Sequence, residues 1–203
     1  MSLGGPRQYR AVAEQALGIN ENRKGLPVGH KIDSVEIADI DGEPYQIWQA
    51  WSEKPALVIF YRGGWCPFCN FQLRELAKEH DQLKAAGLQA IAISADTADK
   101  ASMTSAQFDI PFPILSDPKL IAHEAFNVVL QVDDERLESY KSKGLFLKDW
   151  SGQEHNKVAV ASAFIVDQQG RVLFSHAPID YSTRPSIDQL LSVIDLSLPG
   201  QRT

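Results

Sequence analysis

The sequence predicts an α/β fold, a mixed central sheet with helices on both faces. Three observations carry that expectation. Residues 56–61 form an unbroken apolar run, the pattern of a strand buried on both faces, and residues 88–94 read as a second strand of the same kind. Apolar positions at helical spacing lie between them, notably Leu73, Leu76 and Leu83. Asp41-Gly42 and Gln168-Gln169-Gly170 each join two strand-like pieces, as hairpin turns do.

Taken in order, Val12, Ala13, Ala16 and Leu17 predict a short helix over 7–17, and the glycines and proline of 18–29 a connecting loop. A hairpin follows, with strands over 35–38 and 45–48. After the strand at 56–61, a helix starts at Pro67, whose missing N–H costs nothing in a first turn, and Gly87 stops it. Asp96 or Thr97 can cap a helix over 98–108. Residues 112–115 read as a short strand, and 119–126 as a short helix after the Ser116-Asp117-Pro118 turn. Residues 127–157 are irregular, with a charged stretch over 133–143, and read as an insertion packed beside the sheet. Strands over 158–166 and 172–175 then form a hairpin, and residues 186–196 a final amphipathic helix. The expected organisation is an N-terminal helix and loop at 1–29 and one α/β domain at 30–198, with the insertion at about 127–157.

A chain of 203 residues with 44% hydrophobic and 23% charged residues can bury a real core. Its net charge of -6 argues against nucleic acid as a partner, which would call for a basic face. No apolar run approaches the roughly 20 residues of a membrane span, and no signal peptide is visible at the start. The only two cysteines sit in one motif rather than being spread to staple loops. That usage favours a reducing compartment, and the cytoplasm is the expected location.

The chemistry concentrates in Cys66-Pro67-Phe68-Cys69, where a strand pattern becomes a helix pattern. Unpaired N–H groups and the macrodipole at a helix start favour a thiolate. Cys66 is expected to be the more exposed sulfur with the lower pKa, and Cys69 to stand behind it, in reach. Such a pair supports attack by Cys66 on a disulfide or a hydroperoxide, followed by closure of a Cys66–Cys69 bridge. Gly63 and Gly64 let backbone approach a substrate. Arg62 either adds positive charge beside the sulfur or makes a surface ion pair. Trp65 is either an apolar wall or a packing aromatic. A zinc site would need about four ligands; there is no third cysteine, and His30, His80, His123, His155 and His176 are scattered, so neither metal nor cofactor is expected.

At this motif the chain resembles the thioredoxin-like superfamily, and within it the peroxiredoxin-like branch related to alkyl hydroperoxide reductase and thiol-specific antioxidant proteins. The resemblance runs from about residue 31 to 196. It rests on Tyr61-Arg62-Gly63-Gly64-Trp65-Cys66-Pro67-Phe68-Cys69, then Ile91-Ala92-Ile93-Ser94-Ala95-Asp96, Phe112-Pro113-Ile114-Leu115-Ser116-Asp117-Pro118, Ala163-Phe164-Ile165-Val166-Asp167-Gln168-Gln169-Gly170 and Asp180-Tyr181-Ser182-Thr183-Arg184 in that order. It implies a thioredoxin-like fold with an N-terminal hairpin. It also implies a peroxidatic Cys66, a resolving Cys69, a hydroperoxide or disulfide substrate, and recycling by thioredoxin or a similar dithiol. A homodimer is compatible with it.

The chain also departs from that pattern. Peroxiredoxins carry a proline and a threonine or serine seven and three residues before the attacking cysteine; here these are Ile59 and Gly63. Their arginine before a later strand corresponds to Ala161 and its small neighbours. Thioredoxin's buried acid would be Phe60, and its proline beside the disulfide has no counterpart in 158–163. Arg62 and Arg184 are the candidates to supply the positive charge, whereas Asp180 and Tyr181 read as structural. The leading expectation is a thiol-dependent antioxidant peroxidase. The alternatives are a thiol–disulfide oxidoreductase, and a redox-responsive binding protein that uses 133–143 as its partner surface.

Overall fold

The computed structural model describes residues 24–197. The helix expected over 7–17 lies outside them. Among the described residues, seven strands form one mixed sheet in the order β2-β1-β5-β4-β3-β8-β9, numbered along the chain. Its centre is β3 (Ala56–Phe60), β4 (Gln89–Ser94) and β5 (Ile114–Ser116), parallel neighbours. On one side β8 (Ser162–Val166) runs antiparallel to β3 and carries β9 (Val172–His176). At the other edge, β1 (Glu36–Ala38) and β2 (Pro44–Gln46) make the expected hairpin, its turn closed by Gly42 at φ +84°.

The continuous apolar run of β3 is explained by what covers it. Leu57 and Ile59 point into one core, and Val58 and Phe60 into another on the opposite face. The first core is closed by helices α1 (Pro67–Lys78), α2 (His80–Ala85), α3 (Ala98–Gln107) and α7 (Ile187–Ser197), through residues such as Leu73, Leu83, Ala101 and Leu190. The second holds α4 (Ile121–Ala125), the 3-10 turn Ile47–Ala50 and the rings of Phe60, Phe126 and Phe164, whose centroids lie 4.9–6.2 Å apart. Helices therefore pack on both faces, as the sequence predicts.

Three local expectations need correction. The helix beginning at Pro67 is two helices, because at Glu79 the backbone leaves the α region (φ −93°, ψ 10°) before Leu83 re-enters the same core. The second hairpin strand stops at Gln46, and Ile47 and Trp48 wind into the 3-10 turn. The strand expected over 158–166 is two strands in two sheets. Its first part, β7 (Lys157–Ala159), pairs with β6 (Val129–Gln131), and Val160 N–H still reaches Val128 carbonyl before β8 begins. Of the two cap candidates, Thr97 occupies the cap position of α3, with its hydroxyl turned to Asp99.

Residues 127–157 also contain α5 (Asp134–Ser142) and α6 (Leu147–Ser151). Val132, Leu147 and Val158 give this segment a small core of its own, which Trp65, Leu137 and Tyr140 flank. Trp65 packs against the first core as well, so it ties this segment to the sheet. Among the described residues, no helix is long and apolar enough to cross a membrane.

The aromatic cluster yields a direct check. Phe164→Ala empties a fully enclosed site and should cost about 3–5 kcal/mol in urea unfolding. A loss below about 1 kcal/mol would show that this core is not packed as described.

Candidate active site

The sheet register builds the site. Phe60 pairs with Ile93 in parallel, so the residues three beyond each member of that pair, Gly63 and Asp96, meet at the carboxyl edge of the sheet. In open α/β sheets that edge is where ligands bind. At Gly63 φ is +139°, and a side chain there would press on the Trp65 indole and approach Asp96 Oδ1 at 2.7 Å. Gly64 N–H donates to Asp96 Oδ2 at 2.8 Å, and its carbonyl accepts from Asn70 Nδ2, also at 2.8 Å. A Cβ at Gly64 would collide with the Thr104 hydroxyl. The two glycines are therefore clamped between β4, α1 and α3, and they deliver Cys66 to the start of α1.

Cys66 is the N-cap of α1 in an extended conformation, with Pro67 in the first helical turn. Cys69, one turn on, lies with its sulfur 2.7 Å from Cys66 Sγ, and both thiols are free. The Cys66 pKa falls to about 6, chiefly because the Cys69 thiol donates to its sulfur. The Cys69 backbone N–H and the charges of Arg62 and Arg184 add to this, while burial opposes it. Cys69 moves up. It is the partner that keeps the proton, it is buried, and it faces the Cys66 charge. The expected exposure difference is small: Cys66 is 2% and Cys69 0% exposed, since both pack in the first core. Access differs instead, because Cys66 lines a cleft of about 480 Å³ and Cys69 does not.

The cleft runs between the cysteine turn and α5. Arg62, which is only 6% exposed, points into it rather than along the strand. Its guanidinium carbon lies 4.6 Å from the Tyr181 ring centroid, 5.2 Å from Trp65 and 5.9 Å from Tyr140, and Nη2 donates to the Tyr140 hydroxyl. Phe68 meets Tyr181 edge-on at 5.7 Å. Asp133, Glu135, Arg136 and Lys143 form an outer rim of mixed charge. Trp65 is thus both a cleft wall and a packing aromatic. Arg184 approaches from the loop before α7, with Nη2 3.8 Å from Cys69 Sγ.

The sequence-level candidates Cys66, Cys69, Arg62, Trp65 and Arg184 are all brought together. Tyr181, expected to be structural, stands in the cleft wall, whereas Asp180 is occupied by the Ser182 turn. Asp96 and Tyr140 were not legible as site residues. Asp96 precedes a helix and so resembles a cap; counting three residues past the paired Phe60 and Ile93 is the signal that would find it. Tyr140 sits on a charged helix far along the chain and leaves no such signal. Among the described residues, no group of three or more His, Cys, Asp or Glu could hold a metal ion.

The profile of the AhpC/TSA family matches residues 28–175, which include both cysteines. The chain belongs to the AhpC/TSA family. It is 25% identical over 167 residues to peroxiredoxin Bcp of Escherichia coli, covering 82% of this chain and 94% of that protein. It is 26% identical over 105 residues to the chloroplastic thioredoxin-like protein AAED1 of Arabidopsis thaliana, a match to 52% of this chain but only 42% of that one. Among solved structures, reduced Prx3 of Vibrio vulnificus in complex with H2O2 superposes with a TM-score of 0.67 at 14% identity, over 83% of this chain and 99% of that one. The fold is that of thioredoxin-like peroxiredoxins. Arg184 and Tyr181 lie beyond the segment that the family profile matches.

Burial raises the Asp96 pKa to about 7, against the bonds from Gly64 N–H and Ser94 that favour its charge. A carboxyl with a folded pKa above its unfolded one stabilises the protein fully below the unfolded value and loses that contribution as pH climbs through the folded one. Urea unfolding should therefore show a loss of stability from about pH 4 to about pH 7 that Asp96→Asn removes, leaving the variant more stable at pH 8 by on the order of 1–3 kcal/mol. Identical pH profiles for the two proteins would refute this account of Asp96.

Proposed function

We propose that this chain is a thiol-based antioxidant peroxidase in which Cys66 reduces hydroperoxides. The observation that carries the reading is a low-pKa thiolate on the floor of a cleft, with a second thiol 2.7 Å behind it, in a member of the AhpC/TSA family. The Cys66 thiolate attacks the terminal peroxide oxygen; the O–O bond breaks, Cys66 becomes a sulfenic acid, and the alkoxide or hydroxide leaves as alcohol or water. Cys69 then attacks the Cys66 sulfur, expelling water and closing the bridge. A thioredoxin-like dithiol reopens it by thiol–disulfide exchange.

The departures from the peroxiredoxin pattern shape how the peroxide would be held. Ile59 is a core residue of β3, and Gly63 has no side chain, so no hydroxyl from these positions meets the peroxide. Arg62 stands nearest to that task. Its charge favours the Cys66 thiolate, and its Nε is a buried donor with no protein partner among the described residues. An oxygen of the bound peroxide is a suitable acceptor for it.

The second reading, a thiol–disulfide oxidoreductase, draws on the width of the cleft. About 480 Å³ is far more than hydrogen peroxide needs and would admit a disulfide-bearing side chain or small molecule. Stopped-flow mixing of reduced protein with hydrogen peroxide and with an organic hydroperoxide separates the two. The peroxidase reading expects peroxide loss coupled to Cys66–Cys69 bridge formation, abolished in Cys66→Ser. A rate no faster than that of free cysteine thiolate with both peroxides, alongside active insulin reduction, would favour the oxidoreductase.

A further inference from the structure

Arg184 is held in a geometry that the peroxide step does not use. Its Nε donates to Gln72 Oε1 at 2.6 Å, and Nη1 to the carbonyls of Thr183 (2.7 Å) and Tyr181. Gln72 is itself buried on α1, one turn beyond Cys69. With those donors engaged, the guanidinium has a fixed orientation, and Nη2 is the end left over, 3.8 Å from Cys69 Sγ. Both guanidinium charges favour the Cys66 thiolate, but Arg62 reaches Cys69 only through its backbone N–H, whereas the charge of Arg184 acts on Cys69 as well.

We propose that Arg184 is the catalytic cation of the resolving cysteine, stabilising Cys69 in the two steps in which that sulfur carries negative charge. The proposal rests on the reading of Cys66 and Cys69 as attacking and resolving partners. In the first step Cys69, having lost its proton, attacks the Cys66 sulfenic acid. The S–S bond forms, the S–O bond breaks, and hydroxide leaves with that proton as water. In the second, a thiolate of an incoming dithiol attacks Cys66 Sγ from the cleft. The S–S bond breaks and Cys69 departs with the electron pair as a thiolate, leaving the dithiol joined to Cys66. The dithiol's second thiolate then attacks its own sulfur in that mixed disulfide, releasing the Cys66 thiolate and oxidised dithiol.

A thiol in an apolar pocket is a slow nucleophile in the first step and a poor leaving group in the second, since exchange rates follow the pKa of the departing thiol. A fixed guanidinium beside the sulfur lowers both barriers. It does so without occupying the cleft or touching Cys66.

The test compares wild type, Arg184→Gln and Arg184→Lys in two arms. In one, reduced protein is mixed with hydrogen peroxide and the sulfenic acid is followed by dimedone trapping. In the other, the bridge is first formed with diamide and then reopened by dithiothreitol, with thiol release as the readout. Arg184→Gln should slow bridge closure and reopening by on the order of tenfold, a larger loss than any it causes in sulfenic acid formation. Arg184→Lys should recover part of the loss, and raising the pH should recover closure in the Gln variant. Bridge reopening at the wild-type rate in Arg184→Gln would overturn the proposal. So would equal slowing in Gln and Lys variants with no pH recovery, which is the signature of a merely structural arginine. Because diamide makes the bridge without peroxide, a chain that ignored peroxide would still report on Arg184.

Discussion

The site turns on one hydrogen bond, from the Cys69 thiol to the Cys66 sulfur, made where β3 gives way to α1. Two thiols this close cannot both ionise, so the pair splits its protons unequally, and the split assigns the roles. Cys66 takes the charge because it also has the helix N-terminus, the Cys69 backbone N–H and Arg62. Cys69 keeps the proton because it lies deeper. The sheet, the glycine turn and α1 matter to function insofar as they hold these sulfurs in that relation.

Burial works against this arrangement and is offset residue by residue. Water would solvate a thiolate, but here Cys66 is packed in a hydrophobic core, so its charge must be met by fixed donors and cations. Arg62 is itself buried, and three aromatic rings plus the Tyr140 hydroxyl replace its lost hydration. Asp96 fixes the turn ahead of Cys66 through Gly64 N–H, but its burial makes the carboxyl resist ionisation. The result is a site in which Arg62 and Arg184 favour the thiolate and the buried Asp96 carboxyl holds its proton to a higher pH than an ordinary carboxyl does.

Much of the fold was legible because β3 and β4 are covered on both faces and their apolar runs leave little else to be. The cysteine motif was legible for a related reason: Pro67 and the change from strand to helix pattern put Cys66 at a helix start from sequence alone. What escaped depends on contacts that no local pattern encodes. Residues 158–166 read as one strand because the run is apolar almost throughout, and only the pairing of β7 with β6 separates its first part from β8. Asp96 read only as one of two cap candidates, since its partner Gly64 lies 32 residues away in sequence. Tyr140 is contributed by a helix with no buried residues of its own. Such a helix looks like solvated surface until the cleft beside it is seen.

The central claim is that the Cys69 thiol holds Cys66 as a thiolate at neutral pH. Ultraviolet absorbance of the thiolate, titrated in the reduced protein and in Cys69→Ala, tests it directly. The wild type should titrate with a midpoint at about 6, and Cys69→Ala with a midpoint moved clearly upward toward the ordinary cysteine value of about 8.5. A wild-type midpoint already near about 8.5, or one that Cys69→Ala leaves in place, would contradict the account.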